Sequence, residues 1–268
     1  LMEIHDPFRF ICDDGANVRA NTGTYDQVAQ VVTLVGGVYF EDASRSLTSE
    51  RAVYNNATGV LHATGDVVFV DRVEGTTLSG PEREYFRATE TREEPLVNAY
   101  GRPRLTMQQL RLGPEAPEEA QPAPPEAAAD TAGMPLTIDA DRMTIVGNND
   151  LTATGSVVIQ DDDIRAVADE AEQRGTAETL ELRGSAAIHS QEYSLSGEVI
   201  FATVPEGEIR EVEARGDARL VGEDLDVDAP RIDLTFAESL LQRSVARSDS
   251  VAAPGVQPIA SSPTFRLQ

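Results

Sequence analysis

"VVTLVGGVYF", residues 31–40, and "VLHATGDVVF", residues 60–69, align without a gap. Both put apolar residues at alternate positions around a central glycine, Gly36 in the first and Gly65 in the second. The frame apolar–x–apolar–x–Gly–x–apolar–x–apolar returns as "VNAYGRPRL" (97–105), "LTATGSVVI" (151–159), "LELRGSAAI" (180–188) and "VEARGDARL" (212–220). The six glycines, Gly36, Gly65, Gly101, Gly155, Gly184 and Gly216, are spaced by 29, 36, 54, 29 and 32 residues. Strict alternation over nine residues argues half-buried strands, and a fixed period argues a repeat architecture. A glycine inside a strand marks a bend, a bulge or a close backbone approach. One glycine per repeat at one register predicts a fold line along a stacked sheet, with unrelated bulges as the plainer alternative.

A second motif falls between the glycine strands: apolar–x–small–(Glu/Asp/Asn/Pro)–x–apolar or small–x–apolar. Its instances are "VRANTGTY" (18–25), "LTSERAVY" (47–54), "LSGPEREY" (78–85), "IDADRMTI" (138–145), "LSGEVIFA" (195–202) and "VDAPRIDL" (227–234), with "AVADEAEQ" (166–173) weaker. Turn-forming residues separate the two strands at "NNATG" (55–59), "GNND" (147–150) and "PEGE" (205–208). The spacing of 54 contains residues 112–135, rich in Pro, Ala and Glu, which are expected to form a disordered insertion because they cannot bury enough apolar surface to offset ordering entropy. The repeat continues across it. The expected organisation is an N-terminal segment over 1–14, one β domain over 15–252 interrupted by the insertion, and a tail over 253–268.

One step in register moves every side chain of a strand to the other face. The face in register with the glycines carries Leu61, Ala63, Val67 and Phe69, then Leu151, Ala153, Val157 and Ile159, then Leu180, Leu182, Ala186 and Ile188, and finally Val212, Ala214, Ala218 and Leu220. The opposite face in the last two repeats reads Glu181, Arg183 and Ser185, then Glu213, Arg215, Asp217 and Arg219. One face is therefore apolar and the other solvated. Val38 and Phe40 extend the apolar set in the first repeat. The outer face of the first two repeats is itself apolar at Val31, Val35, Tyr39, Val68 and Val70, a candidate partner surface unless residues 4–12, "IHDPFRFIC", cover it. The inner face is mostly Val, Leu, Ile and Ala, which suits either tight sheet packing or a slot for acyl chains.

The chain has 268 residues, a net charge of −24 and no Trp, and all 22 basic residues are arginine. Nucleic acid is excluded as a partner, since phosphate binding needs a basic footprint. Simple electrostatic attachment to anionic lipid is disfavoured on the same ground. The single cysteine, Cys12, allows no intrachain disulfide. The opening "LMEIHDPF" has neither an initiator Met nor a signal peptide, which leads to the expectation that an export signal or membrane anchor once preceded it. The three histidines, His5, His62 and His189, have no Ser or Cys partner within their own repeats and no metal-ligand spacing; His62 falls on the solvated face. "DDD" at 161–163 lacks the glycine spacing of a calcium loop. No catalytic, metal or cofactor-binding residue is assigned, and no cofactor is expected.

The alternation of "LTSERAVY" (47–54) with "ATGDVVF" (63–69) resembles the OstA/LptA/LptC group of lipopolysaccharide-transport proteins, in which Leu–x–Ala–Asp–x–Ala–x–Tyr precedes a strand of the form x–Gly–x–Val. "VRANTGTY" with "LVGGVYF", and "IDADRMTI" with "ATGSVVI", repeat the match, and the resemblance covers roughly residues 15–235. It implies an all-β, elongated β-jellyroll or "β-taco" of about 13–16 consecutive antiparallel strands built from two-strand repeats of about 28–32 residues. It further implies a non-enzymatic, periplasmic protein, free or anchored through a missing N-terminal segment. Lipid acyl chains would lie in an apolar trough, and strand-edge pairing would join it to itself or to other β-jellyroll transport proteins. The trough would be lined by Val38, Phe40, Leu61, Ala63, Val67, Phe69, Leu151, Val157, Ile159, Leu182, Ile188, Val212 and Leu220. Two departures stand out: the insertion, and a strongly acidic chain in which no basic residues line up to meet lipid phosphates. The alternatives are a scaffolding β-solenoid with a packed interior and, more weakly, a carbohydrate-active β-helix enzyme.

Overall fold

The computed structural model describes residues 1–11, 15–107, 135–147, 150–161, 164–205, 208–237 and 240–248, and the backbone of 259–261. Twenty strands are found among them: β1 (Met2–Ile4), β2 (Phe8–Ile11), β3 (Asn17–Ala20), β4 (Thr22–Asp26), β5 (Val31–Glu41), β6 (Arg45–Asn55), β7 (Val60–Asp71), β8 (Thr76–Phe86), β9 (Leu96–Tyr100), β10 (Arg104–Met107), β11 (Leu136–Asp139), β12 (Arg142–Val146), β13 (Asp150–Gln160), β14 (Arg165–Arg174), β15 (Thr179–His189), β16 (Tyr193–Thr203), β17 (Glu211–Gly222), β18 (Leu225–Ala237), β19 (Leu240–Arg247) and β20 (Ile259–Ser261). The protein is all-β, a run of consecutive antiparallel strands, as the alternation requires. The strand count exceeds the expected range for two reasons. Three repeat strands are each broken at their corner, giving β3/β4, β9/β10 and β11/β12, and the short β1, β2 and β20 lie outside the repeat.

The insertion expected at 112–135 lies, but for Pro135, outside the described residues, as does Cys12. Of the tail at 253–268 only β20 is described, paired to β18 through Asp226↔Ser261. The chain divides into two compact units. The first comprises Leu1–Met107 and Ile138–Gly155, and the second Gln108–Thr137 and Ser156–Gln268, so the division falls inside β13 at its glycine.

Each mid-strand glycine is both a corner and a bulge. Gly36, Gly65, Gly101, Gly155, Gly184 and Gly216 all have φ between +74° and +80°, and the residue after each, from Gly37 to Asp217, also has positive φ. The ladders slip register at these steps, for example between Thr64 and Val67 and between Arg183 and Ala186. Two successive left-handed residues re-aim the chain, which only glycine enters without steric cost. The second motif supplies the other half of the corner. A Cβ added at Gly65, Gly155, Gly184 or Gly216 would meet the side chain of Glu50, Asp141, Asp169 or Glu198 at under 3.0 Å. The acidic side chain of one strand thus occupies the space that the glycine of the next leaves empty.

The corner folds the two arms of each strand onto one another. Arg83 is paired with Ala63 in the ladder, yet its guanidinium lies 3.8 Å from the ring of Phe69, six residues further along β7. On a flat sheet that separation would be about 20 Å. Likewise Tyr193 and Phe236, from opposite ends of β16 and β18, bring their rings within 6.0 Å. Apolar side chains of both arms therefore share one interior in each unit.

Candidate functional site

The expected trough residues all face this interior. Val38, Ala63, Val67, Leu151, Val157, Ile159, Leu182, Ile188, Val212 and Leu220 are buried, and Phe40, Leu61 and Phe69 are half-buried. The strands of the second motif contribute as much, through Leu47, Leu78, Met143, Leu195, Ile200, Ile232 and Leu234.

The two units differ in how their interiors end. In the first, one ladder row crosses the arm as Tyr25, Val32, Tyr54, Leu61, Tyr85, Val97, Ile145 and Leu151, and every member but the last, the buried Leu151, is only half-buried. Tyrosine suits such a rim because its ring is apolar and its hydroxyl tolerates water. In the second unit the corresponding row is Gln173, Leu180, Ala202, Val212 and Leu234, and its last three members are buried. Behind them Leu182, Leu195, Ile200, Leu220 and Ile232 are at most 1% exposed, so this interior is filled by its own side chains.

The first interior also contains polar groups that the alternation did not reveal. Asp71 is buried and accepts a hydrogen bond from Arg45 Nε at 2.8 Å. Burial acts to raise its carboxyl, but the backbone N–H of Glu74, the Arg45 side chain and the N–H of Val73 outweigh this and hold it below its ordinary value. Ser49 is buried with its hydroxyl unpartnered. Arg83 is 7% exposed, stacks on Phe69, and has no partner for Nε. Burial lowers its guanidinium to about 10; Tyr85 opposes this and the charge of Arg45 adds to it. Arg83 remains a cation at neutral pH. Arg83 is a single cation on the inner face, not a row of basic residues. A signal existed: in the second motif the sixth position is Gly23, Ala52, Met143, Ala171, Ile200 and Ile232 in other repeats, and only "LSGPEREY" places a charge there.

The candidate partner surface is mixed. Val35 and Val68 are exposed at 40% and 36%, Val31 and Val70 are half-buried, and Tyr39 is stacked beneath the Arg19 guanidinium at 4.7 Å. Phe8 turns inward against the cluster of Ala20, Val38 and Ala52, in the space that Gly23 leaves free. His62 lies outward and bonds Glu82 at 2.8 Å, while His5 is 3.3 Å from Glu3. His189 does have a serine partner, contrary to expectation: its Nδ1 is 2.9 Å from Ser194 Oγ across the β15–β16 ladder. That pair is exposed on a hairpin end, without the desolvated surroundings that activate a nucleophile. Among the described residues there is no cluster of His, Cys, Asp or Glu suited to a metal, and no helix long and apolar enough to cross a membrane.

No curated protein matches the chain. Among solved structures, the crystal structure of LptH, described as the LptA homologous periplasmic component of the lipopolysaccharide transport device from Pseudomonas aeruginosa, aligns at 14% identity over 64% of this chain and 82% of that chain. Its TM-score is 0.28, too low to equate the two architectures. The family model described as "LptA/(LptD N-terminal domain) LPS transport protein" matches residues 135–208. That stretch runs from β11 to β16 and carries the corners at Gly155 and Gly184 with their partners Asp141 and Asp169. The segment 135–208, with its repeated corner, is thus similar to the LptA/LptD N-terminal-domain family of lipopolysaccharide-transport proteins.

Proposed function

We propose that the chain is a periplasmic, non-catalytic component of a lipopolysaccharide-transport system, and that it carries lipid acyl chains in the apolar interior of its first unit. The observation that carries this reading is the half-open row Tyr25–Ile145, which leaves Phe40, Leu61 and Phe69 accessible between two apolar arms. The family match supports the transport role. The closed interior of the second unit favours a different task for that part: a packed β scaffold whose end strand, β19, offers a backbone edge to a neighbouring β domain or a second copy.

Site-specific photo-crosslinking tests the lipid reading. Crosslinkers replacing Phe69 should capture lipid from a Gram-negative host, whereas those at His62 and Arg215, on the outer face, should not. Ile159, inside the closed second interior, should capture less than Phe69. Equal capture from inner and outer positions, or none from any, would overturn the trough.

A further inference from the structure

Arg83 is a cation in an apolar interior that the repeat fills elsewhere with Gly, Ala, Met or Ile. A buried charge is costly unless paired. The outer arginines are paired: Arg183 with Glu181 at 2.8 Å, Arg231 with Asp233 at 2.7 Å, and Arg215 with Glu213. Among the described residues no carboxylate pairs with Arg83. Asp71, the buried acid of this interior, is engaged by Arg45. The Phe69 ring offsets part of the cost by cation–π attraction and fixes the guanidinium plane, leaving Nε without a partner. A planar fork held in this way is suited to bind phosphate or carboxylate through two parallel hydrogen bonds.

We infer that Arg83 is the counter-charge for an anionic group taken into the first unit, so that the preferred ligand is an amphiphile bearing an oxyanion, phosphate or carboxylate, beside its hydrocarbon chain. This rests on the lipid-carrying reading. It also explains how a chain of net charge −24 would accept an anion at all. The external field is screened within about 10 Å in physiological salt, and the buried cation acts at contact. Access runs over the half-buried Leu61, Phe69 and Tyr85, so the oxyanion would enter from the tyrosine-lined row with its chain against the apolar arms.

The test compares dodecyl phosphate, dodecanoate and the uncharged monolauroylglycerol, each displacing a neutral fluorescent hydrocarbon probe from the full chain at fixed salt. The wild-type chain should bind both anions at least tenfold tighter than the neutral ester. Arg83→Met, similar in length and apolar, should bind the ester as before and lose the preference, with anions now the weaker ligands because only the acidic surface acts on them. Arg83→Lys, which keeps the charge without the fork, should retain a reduced preference; it also serves if Arg83→Met fails to fold. A tenfold preference that survives in Arg83→Met, is undiminished in Arg83→Lys, or vanishes only in Arg45→Met would overturn the assignment while leaving the trough intact. Failure of the wild-type chain to bind any of the three would overturn the lipid-carrying reading, and this inference with it.

Discussion

Replacing Gly184 with Ala tests whether the glycine corner is what the repeat encodes. Gly184 has φ +76°, and an Ala Cβ built there would lie 2.8 Å from Asp169 Cβ and 2.4 Å from its Oδ2. Holding an L-residue in the left-handed region costs about 1–2 kcal/mol. Relieving the contact requires β14 and β15 to separate at a bulge, a local overpacking that costs about another 1–3 kcal/mol. The expected loss is therefore about 2–5 kcal/mol, read as a fall of about 4–20 °C in the thermal transition followed by circular dichroism. The two contributions separate in a double-mutant cycle with Asp169→Gly, which deletes the Cβ that the added methyl group would strike. The pair should couple favourably by about 1–3 kcal/mol, leaving only the backbone term. Ser185→Gly is the converse test: Ser185 already holds the left-handed conformation at φ +48°, so replacing it should not destabilise the chain and should relieve strain of up to about 1–2 kcal/mol. If Gly184→Ala costs under about 0.5 kcal/mol, or its cost is additive with Asp169→Gly, the corner is not held by the fit of acid over glycine.

Leu182→Ala, in the filled second interior, should cost about 2–5 kcal/mol, whereas Leu61→Ala in the half-open row should cost less than half as much; chemical denaturation compares them. Asp71 titrates below its ordinary value of 3.8, so its contribution is present above that pH and lost as pH falls through the folded-state value. Asp71→Asn should therefore melt below wild type at pH 7, with the gap closing as the pH drops under 3.8. Burial, with the charge of Glu192, raises the Tyr193 hydroxyl from 10.0 to about 12. Stability linked to it should hold up to pH 10 and fall between pH 10 and about 12, a loss that Tyr193→Phe removes and that tyrosine absorbance titration can follow.

The strands and their corner were legible because two local signals coincide at one register. Period-two alternation marks the faces, and a glycine at fixed phase marks the fold line; that the Glu, Asp, Asn or Pro of the neighbouring strand packs over it emerged only from the structure. Neither signal depends on long-range contacts. What could not be read depends on pairing. The Ser194–His189 contact exists because the β15–β16 ladder sets those residues opposite each other, and Tyr39 is covered because β3 brings Arg19 beside it. The strands "MEI" and "FRFI" are too short to show a period, and Phe8 is fixed by the vacancy at Gly23 rather than by its neighbours in sequence. Arg83 is a different case. The motif was written as apolar or small at that position and absorbed the one residue that is neither.

The same repeat produces two interiors of opposite character, and the difference lies in a few inward positions. At the eighth position of the second motif the first unit has Tyr25, Tyr54, Tyr85 and Ile145, where the second has Gln173, Ala202 and Leu234. At the sixth, Arg83 faces Phe69 in the first, while Ile200 and Ile232 are sealed in the second. Large tyrosine rings on the folded arms hold the end of the first interior to half burial, because tyrosine hydroxyls keep their hydration better than aliphatic groups do. Aliphatic side chains of matched size close the second to packing density. If a filled interior were the purpose of both units, placing Arg83 in the first would lower stability for no gain, since an apolar residue at that site is the more stable solution. The retained charge therefore favours an occupant for the first unit and a structural role for the second. Arg83→Met separates these possibilities on stability alone. In the ligand-free chain it should raise the melting temperature, and with an anionic amphiphile bound that advantage should shrink or reverse.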